Sequence, residues 1–259
     1  MHVVLLCAGV GRRLAPYTEV RPKCLFEVQG VTLLERHLLH CQRLGARTIT
    51  IVTGHLAPML EEEVARLSPR TPVTFVLNER YEEGSIVSLQ RGLATPIEGD
   101  VVFMDTDVLY HPSVLGKLFQ SRHRSCVLVD ATSEETGEEM MIGIRDGRAA
   151  HIARRVTAPG VEWELVGESV GFFRVAGAEL GAFRSLLDQT ITDDGPRQEY
   201  EAAVDRFFSR AIVGYERVDD LPWTEIDFAE DLRHAREDIA PRLPPLHEPG
   251  AVTGATQAS

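Results

Sequence analysis

Lysine is nearly absent: of 27 Lys and Arg residues only Lys23 and Lys117 are lysines, so almost every basic position is written as arginine. Positive charge is also in deficit, 27 against 39 Asp and Glu, for a formal net charge of -12. That balance argues against nucleic acid or an anionic membrane as the main partner. Cys7, Cys24, Cys41 and Cys126 form no C-x-x-C pair, which excludes the usual zinc and disulfide frameworks. No apolar run approaches bilayer length, and Met1-His2 leads straight into an apolar segment without a signal peptide. The nine histidines are scattered without ligand spacing, and no internal repeat is present. A reduced cytoplasmic enzyme is the expectation.

What is present starts at Val3. Val3-Val4-Leu5-Leu6 suits a strand buried on both faces of a parallel sheet. It runs into Cys7-Ala8-Gly9-Val10-Gly11, small residues that let backbone N–H groups approach an anion. Arg12, Arg13, Arg21 and Lys23 follow, with only Glu19 opposing them. A glycine-rich turn leaving a strand and followed by cations is a polyphosphate holder. It is neither the dinucleotide fingerprint, because Leu14 stands where a third glycine is required, nor a P-loop, because no Gly-Lys-Ser/Thr follows. Lys23, in an arginine-biased chain, marks a place that wants a compact point charge.

At 259 residues the chain can bury one sizeable core. Thr32-Leu33-Leu34-Glu35 reads as a capping box, opening a helix with Leu33, Leu34, His37, Leu38, Cys41 and Leu44 inward and Gly45 at its end. Thr48 to Val52 and Val73 to Leu77 read as strands flanking a helix that carries Met59, Leu60, Val64 and Leu67. His55, in the turn between, reads as a polar loop residue. Strands alternating with helices predict an α/β, Rossmann-like doubly wound and mostly parallel sheet, with ligands at the carboxyl ends of its strands. Gly84-Ser85 reads as a helix start with Ser85 as N-cap. From Cys126 the pattern turns antiparallel, with Asp146-Gly147 as the hairpin turn between Met140–Arg145 and Arg148–Arg154. This antiparallel segment, about 131–215, is expected to form a small lid within a single domain, 1–243. Helices are expected at Gly177–Leu187 and Gln198–Ser209. The Pro-, Gly- and Ala-rich tail beyond Pro241, and 244–259 above all, is expected to be loosely held.

Carboxylates arrive at the same sheet edge as the glycine-rich turn. Val101 to Met104 is a buried strand that delivers Asp105-Thr106-Asp107. Alternation along a strand sends Asp105 and Asp107 the same way. Carboxylates at the end of an apolar strand are costly unless paired or on a metal, and nucleotide-bound Mg²⁺ needs one or two of them. Near the other end, Glu225 and Asp227 share a strand face, although Asp227 also reads as an N-cap.

The run from Leu6 to Leu25 resembles the signature of the sugar-phosphate and alcohol-phosphate nucleotidyltransferases, L-x-A-G-x-G-x-R-L-x-P-x-T followed by P-K-x-L. Leu6, Ala8, Gly9, Gly11, Arg13, Leu14, Pro16, Thr18, Pro22, Lys23 and Leu25 all fall on it. Gly84 to Leu89, Met104 to Leu109, Gly167 to Gly171 and Glu225-Ile226-Asp227 resemble in particular the small bacterial cytidylyltransferases acting on phosphocholine or phosphonates. That resemblance implies CTP and a small phosphate or phosphonate acceptor as partners, Mg²⁺ as cofactor, and pyrophosphate as the second product. It implies catalytic roles for Lys23 and Arg13, and nucleotide contacts from Leu6, Ala8, Gly9, Gly11, Arg12, Gly84, Ser85 and Asp105. Asp107 and Asp227 are its implied metal ligands, with Glu225 as a third carboxylate, and Arg154, Glu168 and Tyr200 are the expected acceptor contacts. With aromatics only 7% of the chain, a quaternary-ammonium cage would draw on Trp163, Phe172, Phe173, Tyr200 and Tyr215. Arg154, Arg155 and Arg174 instead favour a strongly anionic acceptor, a phosphonate such as 2-aminoethylphosphonate or phosphonoformate, over phosphocholine. A catalytically inactive nucleotide-binding regulatory module and a nicotinamide-dependent oxidoreductase are the rival readings. The retained Arg13, Lys23, Asp107 and Asp227 count against the first and Leu14 against the second. A homodimer stays open on sequence alone.

Overall fold

The computed structural model describes residues 1–246 except Glu134 and Ala158. The first half is β1 (His2–Leu6), α1 (Tyr17–Val20), a ribbon of β2 (Glu27–Val28) and β3 (Val31–Thr32), α2 (Leu33–Arg43), β4 (Thr48–Thr53), α3 (Ala57–Leu67), β5 (Val73–Leu77) and α4 (Ser85–Leu93). Then come β6 (Val101–Asp105), β7 (Val108–Tyr110), α5 (Pro112–Gln120), β8 (Ser125–Asp130), β9 (Met141–Arg145), β10 (Arg148–Ala153) and β11 (Leu165–Val175). The chain continues through α6 (Leu180–Asp194), α7 (Glu201–Phe208), β12 (Val213–Arg217), β13 (Trp223–Glu225) and α8 (Ala229–His234).

Strands β5, β4, β1 and β6 lie side by side in parallel, and the chain moves outward from β1 to β5 before returning to β6 on β1's other side. That reversal opens a crevice at the carboxyl ends of β1 and β6, where Leu6 and Asp105 are register partners. The expected α/β, doubly wound architecture is therefore present. The antiparallel strands do not hang apart from it: β11 pairs antiparallel with β6, β8 and β9, so the segment expected as a lid continues the same sheet.

Alternation along the strands divides the core in two. Val3 and Leu5 face a layer containing Leu34, Leu38, Leu60, Val64, Val114 and Leu118, from α2, α3 and α5. Val4 faces Ile86, Leu89, Phe183 and Phe207, from α4, α6 and α7. A third cluster, Leu14, Phe26, Leu33, Leu109, Ile226 and Ile239, ties the glycine-rich loop to the C-terminal segment.

Local signals held where their partners are near in sequence. Thr32 accepts from the Glu35 N–H at 3.1 Å, and Gly45 takes a positive φ of 78° after α2. Asp146 and Gly147 both have positive φ, as a type I′ turn requires. Two caps differ from expectation. Gly84, whose backbone is still extended, rather than Ser85 is the N-cap of α4, and the position takes glycine because the Gln198 carbonyl oxygen lies 1.8 Å from where a Cβ would stand. Asp227 caps nothing: Phe228 is the N-cap of α8, and Asp231 accepts the N–H groups of Asp227 and Phe228 at 2.9 and 2.7 Å. The helix expected over Gly177–Leu187 begins at Leu180 and runs on to Asp194, and the one expected from Gln198 begins at Glu201. The tail is held further than expected, since Leu246 is buried and its carbonyl accepts from Arg43; residues 247–259 lie outside the described residues.

Candidate active site

The crevice at the β1/β6 switch is a cleft of about 300 Å³. It is lined by Leu6, Ala8, Gly9 and Arg13 from the first loop, Asp105 and Asp107 beyond β6, and Glu225 and Asp227 beyond β13. Gly9 has nothing within 4 Å of a virtual Cβ, so its backbone faces open space. Gly11 does a different job. With φ +66°, a Cβ there would sit 2.9 Å from the Lys23 Cγ, so only glycine lets the lysine stem pass against the loop.

That stem delivers the Lys23 ammonium between two carboxylates. Its Nζ lies 3.0 Å from Asp107 Oδ2 and donates a second, short bond to Asp227 Oδ1. Arg13 donates to the other Asp227 oxygen at 2.7 Å. Burial alone would lower the Lys23 pKa, but Asp107 and Asp227 outweigh it and raise it above the ordinary lysine value. Asp107, Glu225 and Asp227 can each bring a carboxylate oxygen within 4.8 Å of the others. Enclosure by the cleft, then repulsion from Asp107, Asp227 and Asp105, pushes the Glu225 carboxyl up; its open surface lets water soften both effects. Three hard oxygen donors around a spot that an ammonium already neutralises fit a divalent cation of the Mg²⁺ kind.

The far wall is acidic. Asp105 takes a hydrogen bond from the buried Tyr200 hydroxyl, and Gly171 leaves it room, since a Cβ there would meet Asp105 Oδ2 at 2.4 Å. Burial, then Glu201 and Asp107, raises the Asp105 pKa well above the carboxylate range. Glu201 is buried in the same wall, and desolvation followed by repulsion from Glu199 pushes it to about 8. Arg154 stands here too, paired with Glu199 at 2.6 Å and donating to the Glu138 carbonyl. The rest of the lining is neutral and includes Tyr81, Ser85 and Ser88, and also Met140, Ser169 and Val170.

Most of the expected site residues converge on this cleft or border it. Lys23 and Gly11 line a small adjoining cavity of about 110 Å³, with Leu6, Gly9 and Asp107 shared between the two. Gly84 fixes the start of α4 rather than facing the cleft, and Ser85, which lines it, uses its hydroxyl to accept from Tyr200 N–H. Arg12 sits apart at a surface depression with Arg80 and Arg197. Glu168 is not among the cleft residues: it lies beside Ser133, Glu139 and Asp130, and burial first, then those last two acids, raises it to about 7. His55 is a loop residue whose Nε2 contacts the Thr18 carbonyl at 2.9 Å.

Of the candidate cage aromatics, only Tyr200 reaches the cleft. Phe172 and Phe173 are core residues, Tyr215 packs on the core, and Trp163 stacks on His151 beneath Arg145. The arginine count also shrinks. Arg174 is buried and spends its guanidinium on the carbonyls of Leu118, Ser121 and Arg124, while Arg155 lies against Gly137. Tyr81, Ser88, Glu199 and Glu201 also line the cleft and are not among the residues that the sequence singles out.

Residues 3–169 match the model of the MobA-like NTP transferase domain. The chain belongs to that family. Among curated relatives, the CTP:phosphoglutamine cytidylyltransferase of Campylobacter jejuni is 22% identical over 257 residues, covering 90% of this chain and 98% of that protein. The 2-aminoethylphosphonate cytidylyltransferase of Lancefieldella rimae is 29% identical over 147 residues, covering 53% of this chain and 54% of that one. In fold, the chain is similar to the CTP:phosphocholine cytidylyltransferase of Streptococcus pneumoniae, with a TM-score of 0.70, 19% identity, and 91% and 97% of the two chains covered. The chain is thus a nucleotidyltransferase whose relatives include cytidylyltransferases for three different acceptors. No helix among the described residues is long and apolar enough to cross a membrane.

Proposed function

We propose that this NTP transferase moves CMP from CTP to a small phosphonate that also carries an amine, of the 2-aminoethylphosphonate kind, and releases pyrophosphate. The observation that carries the reading is the division of one cleft into a cationic, a carboxylate and an acidic wall. A phosphonate oxygen is ionised at neutral pH, so no general base is needed. That oxygen attacks the α-phosphorus, the new P–O bond forms, and the bond to the bridging oxygen breaks. Pyrophosphate leaves with the electron pair. The barrier is charge crowding, and positioned cations lower it.

Lys23 is the residue placed to do this, since its ammonium can exchange Asp107 and Asp227 for the α-phosphate and the incoming phosphonate. Arg13 and the N–H groups of the Gly9–Gly11 loop hold the departing pyrophosphate. Asp107 and Asp227, with Glu225, would hold Mg²⁺, which supplies charge neutralisation at the α-phosphate when bound.

At the acceptor end, Arg154 suits the phosphonate oxygens, and the surrounding acids suit a cation. A protonated amine would let Asp105 and Glu201 ionise, relieving the cost that raises both pKa values. A carboxylate on the acceptor, as in phosphonoformate, would meet the acidic side chains of Asp105, Glu199 and Glu201. The runner-up is phosphocholine, which shares the cation but requires aromatic faces that the cleft offers only in Tyr81 and Tyr200. Pyrophosphate release with CTP and Mg²⁺ against 2-aminoethylphosphonate, phosphocholine and phosphonoformate decides between them. The expected order of kcat/KM is as just given, and phosphocholine in first place would overturn the phosphonate reading.

A further inference from the structure

His37 interrupts a stripe of leucines. α2 buries Leu34, His37, Leu38 and Cys41 together, and the imidazole has no exposed surface at all. Two polar nitrogens in that layer cost desolvation that a leucine would avoid. What distinguishes the histidine is what those nitrogens bond. Nε2 lies 3.2 Å from the Thr106 carbonyl oxygen, and Nδ1 lies 3.2 Å from the Tyr110 hydroxyl. Burial keeps the ring neutral, pushing its pKa down to about 4. A carbonyl can only accept, and a bare Nε2 would face it lone pair to lone pair. Nε2 therefore carries the ring proton and donates to Thr106, while Nδ1 accepts from Tyr110.

The carbonyl that His37 holds belongs to the peptide leading into Asp107. Thr106 and Asp107 are the two-residue link between β6 and β7, and the link is tied on its other sides as well. The Thr106 hydroxyl donates to the Leu6 carbonyl at 2.8 Å, which anchors it to the end of β1. The Asp107 carbonyl accepts the Ile226 N–H at 2.9 Å, which anchors it to the segment that carries Glu225 and Asp227. Tyr110, at the end of β7, is the register partner of Trp223 in that same segment. One buried imidazole thus reaches both strands that bring carboxylates to the cleft.

We propose that His37 is a positioning residue for the divalent-cation site, fixing through the Thr106 carbonyl where Asp107 stands relative to Glu225 and Asp227. It touches neither metal nor nucleotide. A small cation that demands near-octahedral oxygens tolerates little drift in its carboxylates, so a group that fixes the backbone behind one of them is read in metal affinity. The inference rests on the metal role given to these carboxylates in the proposed transfer reaction and adds the residue that sets their geometry.

The test measures Mn²⁺, a paramagnetic stand-in for Mg²⁺, bound in the presence of CTP without acceptor, beside the thermal midpoint, in the wild type, His37→Leu, His37→Gln and Tyr110→Phe. His37→Leu should weaken Mn²⁺ binding about tenfold, the low end for a residue behind a metal ligand. His37→Gln, whose amide can place a donor where Nε2 stands, should recover most of that loss. Tyr110→Phe removes one oxygen, leaves the ring packing in place and frees Nδ1, and should weaken Mn²⁺ about threefold. If His37→Leu does not fold, Tyr110→Phe decides alone. A folded His37→Leu or Tyr110→Phe with a lowered thermal midpoint but wild-type Mn²⁺ affinity makes His37 a packing residue and overturns the inference. A wild type that takes up Mn²⁺ with UTP and not with CTP overturns only the cytidylyl reading, and the same comparison then runs with UTP. A wild type that takes up Mn²⁺ with neither overturns both.

Discussion

Replacing Lys23 with alanine separates two jobs that one ammonium performs. Without ligand, it is the cation that holds Asp107 and Asp227 together, and in the proposed reaction it would be the cation released to the reacting phosphates. The first job is read as stability. Its Nζ is 3.0 Å from Asp107 and bonded to Asp227, with only 14% of its side chain exposed. Removing one partner of a fully buried pair costs about 3–5 kcal/mol, whereas an exposed pair contributes about 0–1. Because Arg13 still serves Asp227, the metal-free loss belongs between those limits, about 1–3 kcal/mol. At about 2–4 °C per kcal/mol for a chain of this size, the thermal midpoint should fall measurably. Added Mg²⁺ should restore much of it by neutralising the same carboxylates. The second job is read as rate. Loss of a preorganised cation should cost about 3 kcal/mol or more, at least about 150-fold in turnover. Lys23→Arg should be impaired as well, because the stem is pressed against Gly11 and a planar fork does not fit a point-charge site. Lys23→Ala turnover within tenfold of wild type, measured by pyrophosphate release in saturating CTP, would refute the assignment.

Asp107→Asn and Asp227→Asn should each abolish turnover with little change in melting, since each removes one Lys23 contact but also one charge from a crowded carboxylate set; activity persisting in excess chelator would sink the metal role. Glu201→Gln should raise the thermal midpoint at pH 8.5 and have little effect at pH 5. The sign follows from the raised pKa of about 8: folding favours the neutral acid, so the stability present at low pH is lost as pH rises from the unfolded carboxyl value through 8. A Glu201→Gln shift that is equal at both pH values would show that the carboxyl ionises normally in the fold.

The parts of the site legible in the sequence are those whose chemistry is local. The glycine turn, the nearby Lys23 and the Asp105-Thr106-Asp107 step all declare themselves by spacing, and the Asp146-Gly147 hairpin does so by its φ requirement. What stayed hidden depends on partners far along the chain. Nothing around Arg174 says that it will spend its guanidinium on carbonyls of residues 118–124 rather than on an acceptor. Spacing does not show that position 84 must be glycine to admit the Gln198 carbonyl, a residue more than a hundred positions away. Glu201 was read as part of a helix start because its relation to Asp105 is created by β6 and α7 meeting across the sheet. Counting arginines in the acceptor segment therefore gave the cleft the wrong sign of charge at that end.

That sign matters for how an acidic chain handles polyanions. The cations of this cleft do not wait free: Lys23 lies between Asp107 and Asp227, Arg13 is on Asp227, and Arg154 is on Glu199. Each is held in place by carboxylates that would themselves be repelled by phosphate. In the reaction proposed above, substrate binding would then be an exchange of partners, in which phosphate oxygens replace carboxylates on Lys23, Arg13 and Arg154. On that reading Asp107 and Asp227 would become available to a divalent cation at the same moment, and Glu199 to an amine. Such an exchange would avoid leaving a buried charge without a partner at either stage. It also explains why the three cations cannot be replaced by stronger positive potential alone. A cleft with the cations but without their carboxylates would bind triphosphate more tightly in the ground state and gain nothing in the transition state. In the proposed reaction the carboxylates would make the affinity conditional on the complete set of ligands, because Asp107, Asp227 and Glu199 compete with phosphate for the same three cations.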